Sequence, residues 1–134
     1  MITIFLIEDN DSIRFLSQKL LTRFGYEVIG TANNGMEAIE RFTSFPKKPD
    51  VIIIDYQLPL KNGIEAMKAI LQIDAHAKII FASPDPGINK LALSSGAINC
   101  ILKPFKMDIL ISSINRALGP SKAFINKIKN LRKE

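Results

Sequence analysis

Four β-branched residues in a row, Val51 to Ile54, run straight into a carboxylate, Asp55, within the stretch Asp50 to Gly63. A short apolar run without alternation is the pattern of a strand buried on both faces, and such strands belong to parallel sheets covered by helices. The acid that follows has an ordinary reading as a turn residue. Pro59 cannot continue a ladder, and Gly63 offers the left-handed conformation that would start the next helix. What stands at the ends of the other strands decides between a turn and a site.

In chain order, Ile2 to Ile7 reads as a strand ending in Glu8 and Asp9. Asn10, Asp11 and Ser12 supply cap chemistry, and Ile13, Leu16, Leu20 and Phe24 recur at helical spacing until Gly25. Val28 to Thr31 predicts a second strand, and Asn33-Asn34-Gly35 turns into a helix carrying Met36, Ile39 and Phe42. The polar loop Pro46 to Pro49 precedes the Asp50 strand. A helix over 64–73 buries Met67, Ile70 and Leu71, and Lys78 to Ala82 makes a fourth strand ending at Ser83. Pro86 to Ser95 is a weaker helix holding Leu91, and Ile98 to Leu102 is a fifth strand ending at Lys103-Pro104. Met107, Leu110, Ile111, Ile114 and Leu118 mark the stripe of a last helix, with Ile109 opposite them.

Five strands alternating with five helices predict an α/β fold: a doubly wound, five-stranded parallel sheet of flavodoxin-like type, order 2-1-3-4-5, with helices on both faces. In that order strands one and three are neighbours, and the crevice outside their C-terminal ends is where ligands bind. Strand one ends in Glu8-Asp9, strand three in Asp55, strand four in Ser83 and strand five in Lys103. Only the edge strand, two, ends without chemistry. Three carboxylates in one crevice repel, and a divalent cation together with Lys103 would cancel their charge. Oxygen ligands without His or Cys favour Mg²⁺, with Mn²⁺ as an alternative ion. An aspartate can also act as a nucleophile toward phosphorus, with Ser83 and Lys103 as partners for the phosphoryl oxygens.

The chain has 134 residues, 47% of them hydrophobic, which suits one domain with a conventional core. Its longest apolar runs fall well short of the roughly 20 residues that span a bilayer, and the opening residues lack the basic start of a secretory leader. A cytoplasmic location is expected, and the single Cys100 cannot form an internal disulfide. Residues 1–119 carry 13 bases and 12 acids, whereas 120–134 carry five bases and one acid, a net of +4. His76, in the loop before strand four, reads as solvated surface at the far end of the sheet.

Residues 1–118 resemble the receiver domain of two-component response regulators, the stand-alone chemotaxis type in particular. The match is carried by Glu8-Asp9, by Asp55 with Leu58-Pro59 and Gly63, by Ser83, by Gly96-Ala97 and by Lys103-Pro104-Phe105. The resemblance implies that Asp55 accepts a phosphoryl group from a histidine kinase or a phosphotransfer protein. It also implies that Asp9, Asp55 and the Gln57 backbone carbonyl ligate Mg²⁺ and that Glu8 acts through water. Ser83 would bond the phosphoryl group and swing inward, and the Lys103-Pro104 peptide would be cis. Gln57 and Asp85 would lie near the path of the hydrolytic water. Such a protein phosphorylates and dephosphorylates itself and controls an unidentified target; it is not a turnover enzyme on a separate metabolite.

Two positions depart from the family. Pro84 stands where a small residue usually offers a backbone N–H to the phosphate, so one donor is lost. Cys100 stands where receivers commonly carry a mobile Tyr or Phe, and a cysteine there reads as a core residue. The alternative expectation is therefore a pseudo-receiver, a phosphorylation-independent interaction module. A phosphohydrolase with an aspartyl intermediate ranks below both, because Gln57 stands where a D-x-D arrangement would place its acid/base. Residues 119–134 read as a basic amphipathic helix or tail, with Phe124, Ile128 and Leu131 at i, i+4 and i+7. That segment is expected to fold back or to pair two copies through itself or the last helix. A partner groove or weak membrane-surface binding would also suit it, and nucleic acid has little support.

Overall fold

The computed structural model describes residues 1–119. The expected tail helix over 119–134 lies outside the described residues apart from Gly119. Five strands, β1 (Thr3–Ile7), β2 (Glu27–Ala32), β3 (Val51–Asp55), β4 (Ile79–Ser83) and β5 (Asn99–Leu102), form one sheet in the order β2-β1-β3-β4-β5. Every pairing is parallel. The helices are α1 (Asp11–Arg23), α2 (Gly35–Ser44), α3 (Gly63–Ile73), α4 (Pro86–Ser94) and α5 (Met107–Leu118).

Alternation along the strands divides the core in two. Phe5, Ile7, Ile52, Ile54, Ile79 and Phe81 point to the side covered by α2, α3 and α4, where Phe42, Met67, Ile70 and Ala92 meet them. Ile4, Leu6, Val51, Ile53, Ile80 and Ala82 point the other way, toward Leu21 of α1 and Leu110, Ile114 and Leu118 of α5. Burying each such Ile or Phe contributes roughly 1.5–3 kcal/mol. The register of β1 on β3 is pinned at its start: Asp50 Oδ2 accepts from both the N–H and the hydroxyl of Thr3, at 2.9 and 3.1 Å.

Four of the five helices begin at side-chain caps, of which the sequence had pointed to that of α1. Asn10, Asn34, Asn62 and Asp85 each accept a backbone N–H from the first turn of α1, α2, α3 and α4, and Asn62 forms a reciprocal capping box with Glu65. Lys48, in the Pro46–Pro49 loop, donates to the carbonyls of Thr43 and Phe45 at 3.2 Å and so closes the end of α2. Gly25 takes φ 95°, the left-handed conformation expected where α1 stops.

Gly63 differs from expectation. It is absent from the positive-φ residues; in the loop after β3 that conformation belongs to Leu60, at φ 70°. Gly63 is required for space, because a Cβ there would overlap the carbonyl oxygen of Asp55 and lie 2.8 Å from Tyr56 Cα. The weak fourth helix also packs differently. Leu91 is exposed, and α4 is buried through Asn89 and Ala92.

Candidate functional site

The parallel registers bring four strand ends level. Ile7 pairs with Ile54, Asp55 with Ala82, and Ser83 with Leu102. The residues just past those ends, Glu8, Asp9 and Lys103, therefore converge with Asp55 on one rim of the sheet. Carboxylate oxygens of Glu8, Asp9 and Asp55 all lie within 4.8 Å of one another. Glu8 and Asp55 are buried, 5% and 6% exposed, while Asp9 is open to solvent.

Lys103 reaches in from β5 across the rim. Its Nζ donates to Glu8 Oε1 at 2.6 Å and lies 3.4 Å from Asp55 Oδ1. Burial alone would lower the lysine's pKa, but the Glu8 hydrogen bond and the charges of Asp55 and Glu8 outweigh it, and the ammonium is held above its ordinary value. For Asp9, partial desolvation comes first, followed by a hydrogen bond with Glu8 and its charge; together they raise the carboxyl above its ordinary 3.8. The Lys103-Pro104 peptide is cis, as the resemblance implies. Arg14 of α1 fixes the backbone under the acids, donating to the Glu8 carbonyl at 2.9 Å.

Such an arrangement suits a small hard cation. Octahedral oxygen ligands about 2.0–2.1 Å from Mg²⁺ stand roughly 3 to 4 Å apart, and the oxygens of these three acids, within 4.8 Å of one another, are near enough to share one such ion or its waters. With the lysine present the cluster keeps a net charge near −2, which a divalent ion balances. Among the described residues this is the one cluster of three metal-ligating side chains.

The other predicted residues stand nearby with different contacts. Ser83 is 1% exposed, and its hydroxyl accepts the Asp85 N–H at 3.0 Å. Asp85 uses its carboxylate as the N-cap of α4, taking the Gly87 N–H at 2.8 Å. Gln57 is exposed in the loop after β3, and Pro84 is exposed beside Ser83. Cys100 is half-buried against the α4 side of the core, with Sγ 3.1 Å from the Asn89 carbonyl. Burial pushes its thiol up to about 11. Pro104 is exposed, Ile109 is 49% exposed as expected, and His76 lies exposed in the loop after α3, at the other end of the sheet.

Asn89 escaped sequence reasoning. Its side-chain amide donates to the carbonyls of Ser83 and Ile101, at 3.3 and 3.2 Å, tying the end of β4 to β5. A polar residue at a core-facing position of α4 was the signal that would have found it.

Residues 4–115 match the family described as the response regulator receiver domain. Among curated relatives, the chemotaxis protein CheY of Thermotoga maritima is 35% identical over 84% of this chain and 94% of its own length. The CheY of Bacillus subtilis is 34% identical over 87% of this chain and 97% of its length. A receiver domain from Clostridium thermocellum superposes with a TM-score of 0.84 at 28% identity, covering 92% of this chain and 99% of that one. The response regulator TrrA from Thermotoga maritima, solved in complex with Mg²⁺ and BeF, gives a TM-score of 0.79 at 30% identity, covering 88% and 100%.

Proposed function

The chain belongs to the response regulator receiver domain family, and from that membership we propose that it is a phosphoacceptor switch in which a histidine kinase or phosphotransfer protein phosphorylates Asp55. The observation that carries the reading is the lysine held between two buried carboxylates, 2.6 Å from Glu8 and 3.4 Å from Asp55, with Asp9 at the mouth.

The Asp55 carboxylate attacks the phosphorus of a phosphohistidine. An O–P bond forms as the N–P bond breaks, and the leaving imidazole takes a proton from solvent. Asp9, Asp55 and the Gln57 carbonyl would hold Mg²⁺, with Glu8 acting through water, and the ion would supply charge neutralisation for the phosphoryl oxygens. Lys103 exchanges its contact with Asp55 for one with a phosphoryl oxygen and keeps Glu8 as its anchor. Ser83 releases the Asp85 N–H and turns toward the phosphoryl group, and that release shifts the start of α4. Because Cys100 carries no ring, the signal passes through the α4 N-terminus and the Asn89 bridge to β5. The protein acts on its own aspartate, in the cytoplasm, and changes its affinity for a downstream protein. Residues 1–118 serve as the receiver and 119–134 as a basic extension.

The experiment is intact-mass analysis after incubation with acetyl phosphate. A labile gain of one phosphoryl group that needs Mg²⁺ and disappears in Asp55→Asn supports the switch. Pro84, which has no N–H, and the engaged Ser83 hydroxyl favour a second reading, a pseudo-receiver that binds its partner without phosphate. No mass gain from acetyl phosphate or a kinase, despite Mg²⁺ binding, would leave that reading standing.

A further inference from the structure

The loop that leaves β3 makes its sharpest bend on a residue poorly suited to it. Leu60 has φ 70°, and the Lys61 N–H donates to the Pro59 carbonyl at 2.8 Å, so Pro59 to Lys61 is a γ-turn of the rarer, strained hand. Backbone of this kind persists only where its surroundings hold it. The Leu60 side chain does not supply the hold, being 77% exposed. The first residue of α2 does. Gly35 is buried, and its N–H donates to the same Pro59 carbonyl at 3.2 Å. It lies so close to the turn that a Cβ there would overlap the Lys61 carbonyl oxygen and stand 2.6 Å from Lys61 Cβ. Toward β3 the loop is equally taut. The Tyr56 carbonyl accepts from the Leu58 and Gly63 N–H groups at 3.0 and 2.9 Å, which makes Gln57 the middle of a second three-residue turn.

We propose, on the reading of the rim as a Mg²⁺ site, that Gly35 is a positioning residue for the metal. By holding the Pro59–Lys61 turn it fixes where the Gln57 carbonyl stands, and through that carbonyl it sets the Mg²⁺ affinity. The chain between the two turns has little slack to absorb a shift. Leu58 is buried in the core beside Ile54 and Ile64, and the ring of Pro59 fixes its φ. A displacement imposed at Pro59 or Lys61 therefore reaches Gln57. Mg²⁺ is sensitive to it, because the ion demands near-ideal octahedral geometry. The coupling runs both ways: Mg²⁺ must steady the contact between Gly35 and the turn by as much as that contact favours Mg²⁺.

The test uses the unphosphorylated full chain. Mg²⁺ binding is read by calorimetry for the wild type, Gly35→Ala and Gly30→Ala; the last sets a Cβ against the Phe45 ring and is the packing control. Gly35→Ala should bind Mg²⁺ about tenfold more weakly, as is common when the support of a metal ligand is lost, while Gly30→Ala keeps the wild-type affinity. Ala is the better helix former, so the loss would not come from fraying of α2. Hydrogen exchange on the wild type needs no variant to fold: saturating Mg²⁺ should slow the Gly35 amide by a similar factor, and more than the amides of β2. Equal Mg²⁺ affinity in Gly35→Ala and wild type, an equal loss in Gly30→Ala, or a Gly35 amide slowed no more than β2 would overturn the proposal and leave the metal reading intact. A wild-type chain that takes up no Mg²⁺ would end both.

Discussion

Replacing Gly63 by Ala puts the packing around the phosphoacceptor to the test. The new Cβ would overlap the Asp55 carbonyl oxygen and sit 2.8 Å from Tyr56 Cα and 3.0 Å from the Asp55 carbonyl carbon. All three neighbours are backbone, so relief requires the start of α3 or the end of β3 to move by roughly 1 Å in a close-packed region. Overpacking of this kind costs about 1–3 kcal/mol, and a backbone obstacle belongs at the upper end. Ala gains up to about 1 kcal/mol over Gly in a helix, less at its first residue. The net loss is about 2 kcal/mol, or roughly 6–10 °C in Tm for a chain of this size. Gly30 is the control. A Cβ there meets the Phe45 ring at 2.8 Å, a half-buried side chain able to give way, so Gly30→Ala should cost under about 1.5 kcal/mol. Denaturant unfolding reads both variants. Under folding conditions, acetyl phosphate should label Gly63→Ala at least about tenfold more slowly than wild type, since an ångström of misplacement is expensive in catalysis, while Gly30→Ala keeps its rate. A Gly63→Ala variant as stable as wild type, or less affected than Gly30→Ala, would refute the reasoning.

Other consequences follow from the same contacts. Asp9 is raised above its ordinary value, so protons compete with Mg²⁺ at higher pH than for a free aspartate; calorimetric titration should show affinity growing as pH rises through that pKa and levelling above it. Lys103 is shifted upward, so its stabilising contribution is fully present below the ordinary lysine value of 10.5 and is lost as pH rises through the folded one; Lys103→Met should lack that alkaline loss in urea unfolding followed against pH. Asn89→Ala removes both bridges between β4 and β5 and should cost about 1–3 kcal/mol, measured by urea unfolding. With its thiol pushed up to about 11, Cys100 should react slowly with alkylating reagents at pH 7.5, and its rate should climb through the alkaline range.

Much of this was legible because the sheet is parallel. A run such as Val51 to Ile54 has one stable home, buried between helix layers, and the alternation of strands and helices then sets the strand order. Once the order is known, the residues after each strand must meet at one rim, and Glu8, Asp9, Asp55 and Lys103 do so. Where side chains compete for space, periodicity says less. The stripe Ile13, Leu16 and Leu20 predicts a helix but not which face is covered, and α1 turns Leu21 to the sheet instead. Leu91 yielded its place to Ala92 and Asn89, because the Asn89 amide satisfies two strand-end carbonyls that an apolar residue would leave short of a donor. At Gly63 the sequence indicates a special residue without the reason, which only the distance to Asp55 supplies.

Borohydride reduction of the phosphorylated chain, followed by peptide mass mapping, is the most direct test that Asp55 receives the phosphoryl group. An acyl phosphate is reduced to an alcohol, which converts the modified aspartate to homoserine. The account predicts homoserine at position 55 and at no other acid, in amounts that depend on Mg²⁺. Homoserine at Asp9, the one-carbon-longer 2-amino-5-hydroxypentanoic acid at Glu8, or no reduced residue in a sample carrying the added phosphoryl mass would contradict it.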